Sequence, residues 1–492
     1  MPNNNRRFIN LPMIARVIGW LMMIEGTFMC APLIACIIYG ESDALGFAVT
    51  IAMTISIGAI LNFCIRPSRT NMGKREGFLL TALVWVIFSI FGMIPFIFSH
   101  AHLSVADAFF EAMSGFTTTG ATVMTTIDHF SHGLLLWRCL MQWLGGMGII
   151  LFTLAVIPML NHSGGVQMFN SEVTGITHDK IRPRISQTAK SLWALYIILT
   201  IILTILLALG PMDFFDAMCH AFGTISTGGF SSQDAGIAAW DSSLYVKIVI
   251  TVFMFLGGVN FAAMVNVLMR GPKTLIHNEA FNTYLEIIGT ALVIFVIAII
   301  AGGNFHTWED ITINPLFMIV STITSTGYAI VDFEAWGTFT LTLVFVLMFC
   351  GACAGSTSGG AKIDRILFLV KNARNELDRC VHPNTIMPVT MSGKVMSPEL
   401  VNKVIAFLCI YILLILVGGI VLTAYGIPLV DAFFSAFSCV GNTGLGAGVT
   451  GYGSNYDVIP DIGKWTLSFI MLIGRLEIYT VLILFTKAFW RK

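Results

Sequence analysis

Four short clusters of small, oxygen-bearing residues hold the chemistry this chain could perform. They are Thr118, Thr119 and Gly120; Thr227, Gly228 and Gly229; Ser325, Thr326 and Gly327; and Asn442, Thr443 and Gly444. Hydroxyls and main-chain carbonyls can replace the water of a cation, yet they carry too little negative charge to trap it. Glycine adds the backbone conformations that turn successive carbonyls toward one point. No Asp or Glu stands at the glycine or just before it, which argues against a calcium-type site. The competing reading is ordinary small-residue packing between membrane helices.

Each cluster closes a stretch that the chain writes four times. Asp107 to Ala121 reads DAFFEAMSGFTTTGA and Asp216 to Phe230 reads DAMCHAFGTISTGGF; Asn314 to Tyr328 reads NPLFMIVSTITSTGY and Asp431 to Leu445 reads DAFFSAFSCVGNTGL. A residue suited to capping a helix precedes the glycine at one fixed interval, 107 to 120, 216 to 229, 314 to 327 and 431 to 444. About ten residues of helix rise roughly 15 Å, half the hydrocarbon thickness. Each stretch therefore reads as a half-helix that enters the membrane and stops midway, where irregular backbone is tolerated only inside protein or around water.

The rest of the chain must hold these stretches at that depth. Of 492 residues, 56% are hydrophobic and 11% charged, with zero net charge and a mean hydropathy of +0.83. That composition excludes a soluble globule and gives no case for nucleic acid. The ten cysteines are scattered through apolar segments, and Cys350 and Cys353 read as small buried hydrophobes rather than a redox pair. Arg6, Arg7 and Arg16 precede an apolar stretch too long for a signal peptide, so it is expected to stay as a helix.

The expected fold is an all-α polytopic membrane protein. Four span/half-helix/span repeats stand in a pseudo-fourfold arrangement around a central pore, after an N-terminal two-helix hairpin over 1–70. The repeats are assigned to 71–188, 189–278, 279–398 and 399–492. Hairpin spans near 11–39 and 44–65 are followed by spans near 76–99 and 133–160, 189–210 and 243–269, 283–302 and 338–372, and 401–425 and 464–488, ten in all. The second span of each repeat carries a small-residue break, at Gly145-Gly146, Gly257-Gly258, Gly351 onward and Gly474. Loops holding Arg66, Arg69, Lys74 and Arg75, then Lys180, Arg182, Arg184 and Lys190, then Lys371, Arg374, Arg379 and Lys394 are assigned to the cytoplasm, with both termini. The half-helices then enter from the opposite side. Glu25 in the first span is read as structurally paired, with a functional role as the alternative. The polar stretch 371–400 is either a linker or a docking surface.

Beneath the third cluster, Gly351 to Ala361 reads GACAGSTSGGA where a membrane helix is due. Four glycines at about 1 kcal/mol each predict that the span unwinds there. Gly351, Gly355, Ser356, Thr357, Gly359 and Gly360 would form a mobile obstruction, a close-packing hinge being the alternative. GSTSGGAK within it imitates a phosphate loop, but an extra alanine precedes the lysine and membrane helix precedes the loop, so nucleotide binding is rejected. Arg475 lies in the last span; at that depth it must face water, carbonyls or an acid, and Glu477 points to another face. It reads either as an electrostatic barrier that helps close the path or as half of a buried ion pair.

With these motifs the chain resembles the Trk/Ktr/HKT superfamily of potassium transporters, most closely its bacterial TrkH/TrkG branch. The resemblance runs from about residue 8 to residue 488 and places the family's filter glycines at Gly120, Gly229, Gly327 and Gly444. It implies potassium uptake across the cytoplasmic (inner) membrane, a homodimer, and a cytoplasmic nucleotide-binding regulatory subunit of the TrkA type. It also makes Gly351 to Ala361 an intramembrane gating loop and Arg475 the arginine beneath the filter. Potassium is the only ion implied, at the filter residues, with no organic cofactor. Gly120 favours potassium, because serine at that place goes with sodium preference in plant members. A proton- or sodium-coupled symporter and a less selective monovalent cation transporter remain as alternatives, with Glu111 and His220 the only titratable candidates for coupling. No enzyme is expected, since HExxH, GxSxG and paired intramembrane aspartates are absent.

Overall fold

In the computed structural model, residues 9–67, 72–100, 102–148, 185–303, 307–385 and 387–491 are described. Leu11–Phe28, continued after a break at Met29 by Cys30–Tyr39, packs on Ala44–Cys64 as the expected hairpin. The two helices touch through glycine: a Cβ at Gly19 would lie 2.6 Å from the Gly58 carbonyl, and one at Gly58 2.7 Å from that of Gly19. Such contact lets dispersion act over the full length of a pair that has little hydrophobic drive in lipid.

After the hairpin the same three elements recur. Lead helices are Lys74–Gly92, Ile185–Ala208, Glu279–Gly302 and Pro398–Ala424; half-helices are Val105–Phe116, Phe214–Ile225, Ile313–Ile323 and Leu429–Val440; second helices are His132–Gly146, Leu244–Gly257, Thr338–Cys350 and Asp461–Arg475. Lead helices leave isoleucine and valine exposed, such as Ile201, Ile205, Val293, Ile297 and Val417, whereas most of each half-helix is buried. Apolar surface that faces outward suits lipid, so the lead helices form the perimeter and the half-helices the interior.

One expectation about these elements is corrected. The helix caps lie earlier than Asp107, Asp216, Asn314 and Asp431: the N-cap residues are Ser104, Asp213, Thr312 and Pro428. The repeated acidic or amide residue falls in the first turn instead, where it still meets the positive end of the helix dipole. Ser104 and Asp107 bond reciprocally, Oγ to Oδ2 at 2.7 Å and N–H to Oγ at 3.2 Å. The spans are seen only in part. Among the described residues, six helices are long and apolar enough to cross a membrane, or up to eight if each bent pair counts as one span; the expected ten include one that runs beyond those residues. The second helices run only 13 to 15 residues and end at the small-residue breaks. Leu244–Gly257 turns by 95° into Phe261–Arg270, and Asp461–Arg475 by 109° into Tyr479–Phe485. The later part of the expected 133–160 span and the residues Arg69, Lys180, Arg182 and Arg184 lie outside the described residues.

The expected span 338–372 is broken as well. Helix stops at Cys350, residues 351–362 are irregular, and Ile363–Val381 resumes. Much of 371–400 is ordered structure, including a two-residue hairpin that pairs Thr390 with Val395. Lys371 fastens it by pairing with Glu279 at the base of the third lead helix, and the Ser392 N–H donates to the same carboxylate at 2.9 Å. Glu25 differs from its expected pairing: it is fully buried, and among the described residues neither carboxylate oxygen has a hydrogen-bond partner.

The breaks let the second helices press on the ends of the half-helices. A Cβ on Gly145 would strike the Phe116 carbonyl, and one on Gly474 the Val440 carbonyl, each at the last half-helix residue of its repeat. Gly145→Ala should lower stability by about 1–3 kcal/mol, the usual range for overpacking. Thermal unfolding of the detergent-purified protein reads this, with Gly289→Ala, which lies inside a helix with open space around it, expected to keep or raise the parent midpoint.

Candidate functional site

The four half-helices end in one and the same way. Thr118, Thr227, Ser325 and Asn442 take φ of 53°, 53°, 52° and 51°, although none is glycine. Their N–H groups donate to the carbonyls three residues back, Gly115, Thr224, Thr322 and Cys439, at 3.0 to 3.3 Å. The next N–H in each, at Thr119, Gly228, Thr326 and Thr443, donates to the carbonyl five back at 2.7 to 2.9 Å. This is a Schellman end, usually completed by glycine, here with a side chain in the left-handed region at about 1–2 kcal/mol each. Gly120, Gly229, Gly327 and Gly444 follow with φ of 83°, 82°, 79° and 78°.

The loops close on one another in cyclic order. A Cβ at Gly120 would strike the Gly228 carbonyl oxygen, one at Gly229 that of Thr326, one at Gly327 that of Thr443, and one at Gly444 that of Thr119. All twelve residues singled out from sequence therefore belong to one ring of backbone. Each glycine is required twice, for its positive φ and for the neighbouring carbonyl it admits.

Side chains from the second helices brace that ring. Arg138, fully buried, donates from Nε to Glu111 at 2.7 Å, from Nη1 to the Ser231 carbonyl at 3.1 Å and from Nη2 to Thr122 Oγ1 at 3.0 Å. One turn on, Gln142 Nε2 donates to the Gly228 carbonyl at 2.6 Å and Oε1 accepts the Phe230 N–H at 3.0 Å. Both carry repeat 1 to the loop of repeat 2. Lys247 carries repeat 2 to repeat 3 through Glu309 and Asn314, at 3.2 and 3.3 Å. Lys464 carries repeat 4 to repeat 1 through Asp107, at 2.5 Å. Between repeats 3 and 4 the second helix offers Phe345 and Phe349 against Phe437, with centroids 4.3 and 6.3 Å apart. Sequence reading overlooked Arg138, Gln142, Lys247 and Lys464, although polar side chains inside apolar helices were the signal available.

Glu111 and His220, the candidates for ion coupling, are both engaged. Glu111 also accepts from Thr122 Oγ1 at 3.0 Å and from the Val123 N–H at 3.1 Å. His220 bonds the Asp216 carbonyl at 2.8 Å and Ser231 Oγ at 2.9 Å.

Under the ring, the irregular loop bonds directly to repeats 2, 3 and 4. Thr357 Oγ1 donates to the carbonyls of Ile225 and Gly257, each at 3.1 Å. The Gly359 N–H donates to Ser325 Oγ at 2.6 Å, and the Gly360 N–H to the Gly441 carbonyl at 2.9 Å. Ser356 closes the turn on Cys353, and Gly351, Gly355 and Gly360 supply positive φ. Arg475 then binds the loop to repeat 1: Nη1 donates to the Thr357 carbonyl at 2.9 Å, and Nη2 to the carbonyls of Gly145 and Gly146 at 2.7 and 3.1 Å. Glu477 turns elsewhere and pairs with Arg365 and Lys362 at the far end of the loop. These contacts place the Arg475 guanidinium against carbonyls at the loop.

A matching architecture exists with a known assignment. The family model for TrkH, described as a cation transport protein, matches residues 45–301 and 290–492. The chain belongs to the TrkH family. Among its relatives, the Trk system potassium uptake protein TrkH of Escherichia coli K12 is 36% identical over 483 residues, covering 97% of this chain and 99% of that protein. The Trk system potassium uptake protein TrkG of the same strain is 32% identical over 488 residues, 97% and 98% of the two chains. The crystal structure of the potassium transporter TrkH from Vibrio parahaemolyticus superposes with a TM-score of 0.88 at 32% identity, over 98% of this chain and all of that one. As a member of the TrkH family the chain is a multi-pass membrane transporter and not an enzyme.

The Glu111–Arg138 pair is the most deeply buried ion pair among the described residues, with side chains at most 1% exposed. Removing one partner strands the other charge, so Arg138→Met or Glu111→Leu alone should cost about 3–5 kcal/mol. The double variant should lose less than the sum, read as thermal midpoints in a double-mutant cycle.

Proposed function

We propose that the chain takes up potassium through the axis of the four loops, driven by the membrane potential. The carrying observation is the cyclic contact of four identical backbone ends, in which each glycine admits the carbonyl of the next repeat. A dehydrated monovalent cation would meet main-chain oxygens and the hydroxyls of the Thr and Ser side chains there. It would also meet the negative ends of four half-helix dipoles. Thr118, Thr119, Gly120, Thr227, Gly228, Gly229, Ser325, Thr326, Gly327, Asn442, Thr443 and Gly444 form the potassium path. Potassium is the cargo. The curated relatives named as potassium uptake proteins support that ion. A potential of about 100 mV supplies roughly 2.3 kcal/mol per charge, enough for about 50-fold accumulation without a coupled ion. Coupling would require a titratable group free to exchange protons, and Glu111 and His220 are committed to hydrogen bonds.

The loop of Gly351, Gly355, Ser356, Thr357, Gly359 and Gly360 acts as the gate and Arg475 as its latch. The guanidinium both ties the loop to the second helix of repeat 1 and raises the barrier for a cation arriving beneath the ring. The chain works in the cytoplasmic membrane with both termini in the cytoplasm, as the Lys and Arg distribution indicates. It comprises a hairpin over 1–70 and four pore units over 71–188, 189–278, 279–398 and 399–492. Membership of a Trk system supports assembly with a partner, read here as a homodimer regulated by a nucleotide-binding subunit of the TrkA type.

Expression in cells lacking potassium uptake, with the partner subunit supplied, should restore growth at low potassium. Gly120→Ser should lower the potassium preference over sodium in the same cells. Absence of rescue, although the protein reaches the membrane with its partner, would sink the assignment. Arg475→Ala should raise potassium flux at equal protein level; an unchanged or lower flux counts against the latch.

A further inference from the structure

The four repeats differ at two positions that face each other. Just before the ring glycine stand Thr119, Thr326 and Thr443, but Gly228 in repeat 2. Gly228 is absent from the residues with positive φ, so its backbone does not call for glycine. Space does: a Cβ there would meet Gln142 first, its Cδ, Oε1 and Cβ being the three nearest atoms, the closest well inside van der Waals contact. The side chain that fills the place of the missing threonine therefore arrives from the preceding repeat.

Equivalent positions on the second helices confirm that this is an exchange and not a local irregularity. Gly146 faces the hydroxyl of Tyr196 and Ser226 as Gly258 faces the hydroxyl of Tyr284 and Thr324, which aligns QWLGG at 142–146 with MFLGG at 254–258. MFCGA at 348–352 and MLIGR at 471–475 follow the same pattern. Gln142 thus stands where the other repeats carry Met254, Met348 and Met471, all buried. Around the ring, methionine precedes a neighbour with threonine three times, and glutamine precedes the neighbour with glycine once.

The neighbouring contacts show what is exchanged. In repeats 1 and 3 the threonine hydroxyl pairs with that of the cap residue two before it, Thr117 with Thr119 at 2.8 Å and Thr324 with Thr326 at 2.7 Å. In repeat 2 no such side chain exists, and the Gln142 amide instead holds the loop by its backbone, at the Gly228 carbonyl and the Phe230 N–H. That carbonyl is the one packed against Gly120.

We propose that Gln142 is a specificity-determining positioning residue of the ion path: it replaces the absent threonine of repeat 2 and fixes the Gly228 carbonyl at the radius its three counterparts hold. This deepens the permeation reading above and rests on it. An amide that donates to the carbonyl limits how far the oxygen can move inward toward a smaller cation, so the exchange bears on potassium against sodium. Total flux depends on it less.

The test converts repeat 2 to the pattern of the other three. Full-length parent, Gln142→Met, Gly228→Thr and the double variant are reconstituted in liposomes, and potassium/sodium permeability ratios are taken from bi-ionic reversal potentials. Each single variant should lower the ratio about tenfold, the worth of one hydrogen bond. The double should return to within about threefold of the parent. Gln142→Glu, which can accept from Phe230 but when ionised cannot donate to Gly228, should lose selectivity as Gln142→Met does. A parent-like ratio in Gln142→Met, or a double variant no better than the worse single, overturns the proposal. Where a single variant fails to reach the membrane, the double decides, and its failure to fold also counts against the exchange. Thermal midpoints of the same four proteins separate the two readings. If the parent carries no potassium while the double recovers the stability lost by Gly228→Thr, the permeation reading falls and only the packing exchange stands.

Discussion

Backbone that is neither helix nor sheet cannot sit in hydrocarbon with its polar groups open, and everything else in this protein follows from meeting that constraint four times. Each half-helix stops after 11 or 12 residues inside the protein, leaving its last carbonyls without intrahelical partners. The Schellman closure returns two N–H groups to those carbonyls and at once reverses the chain, so that the following carbonyls are free to leave the helix axis. Threonine, serine or asparagine in the left-handed region is less favourable than glycine would be. The surrounding structure must supply that difference, and it does so with glycine contacts from the second helices and with buried charges.

Those supports are unequal around the ring. Three of the four junctions from a second helix to the next repeat use a buried polar side chain, Arg138 with Gln142, Lys247, and Lys464. The fourth is an aromatic seam of Phe345, Phe349 and Phe437. Directional hydrogen bonds fix register, whereas rings slide over one another at little cost. The helix with the seam is the one that unwinds at Gly351, and the loop it releases is held by hydrogen bonds to backbone rather than by packing of large side chains.

Much of this was legible in the chain because repetition averages out local ambiguity. The four glycines, the short half-helices, the small-residue breaks and the unwinding at 351–361 all came from patterns present several times or from glycine density. What failed was whatever depends on one residue in three dimensions. Asp107, Asp216 and Asp431 look like caps, but Ser104, Asp213 and Pro428 take that position, because a carboxylate in the first turn serves the dipole equally well and propensity cannot choose between them. The glycine breaks were legible as places where a span could bend, but the 95° and 109° turns after Gly257 and Arg475 were not, because hydropathy is blind to direction. Gln142 escaped notice because a single amide among LLLWRCLMQWLGG resembles nothing until the glycine opposite it is seen to leave room.

Arg475 occupies the place that Gly146, Gly258 and Ala352 hold in the other three repeats. Its reach to both Thr357 and the end of the second helix in repeat 1 needs small residues at those sites. A symmetric assembly of four identical subunits would bring four guanidinium groups together under the ring, where mutual repulsion in a low dielectric would force them apart or leave them unpaired. Linking the four units in one polypeptide removes that restriction. It lets one guanidinium evolve on one quarter of an otherwise repetitive frame, so covalent continuity itself is what makes a single-sided anchor for the loop available.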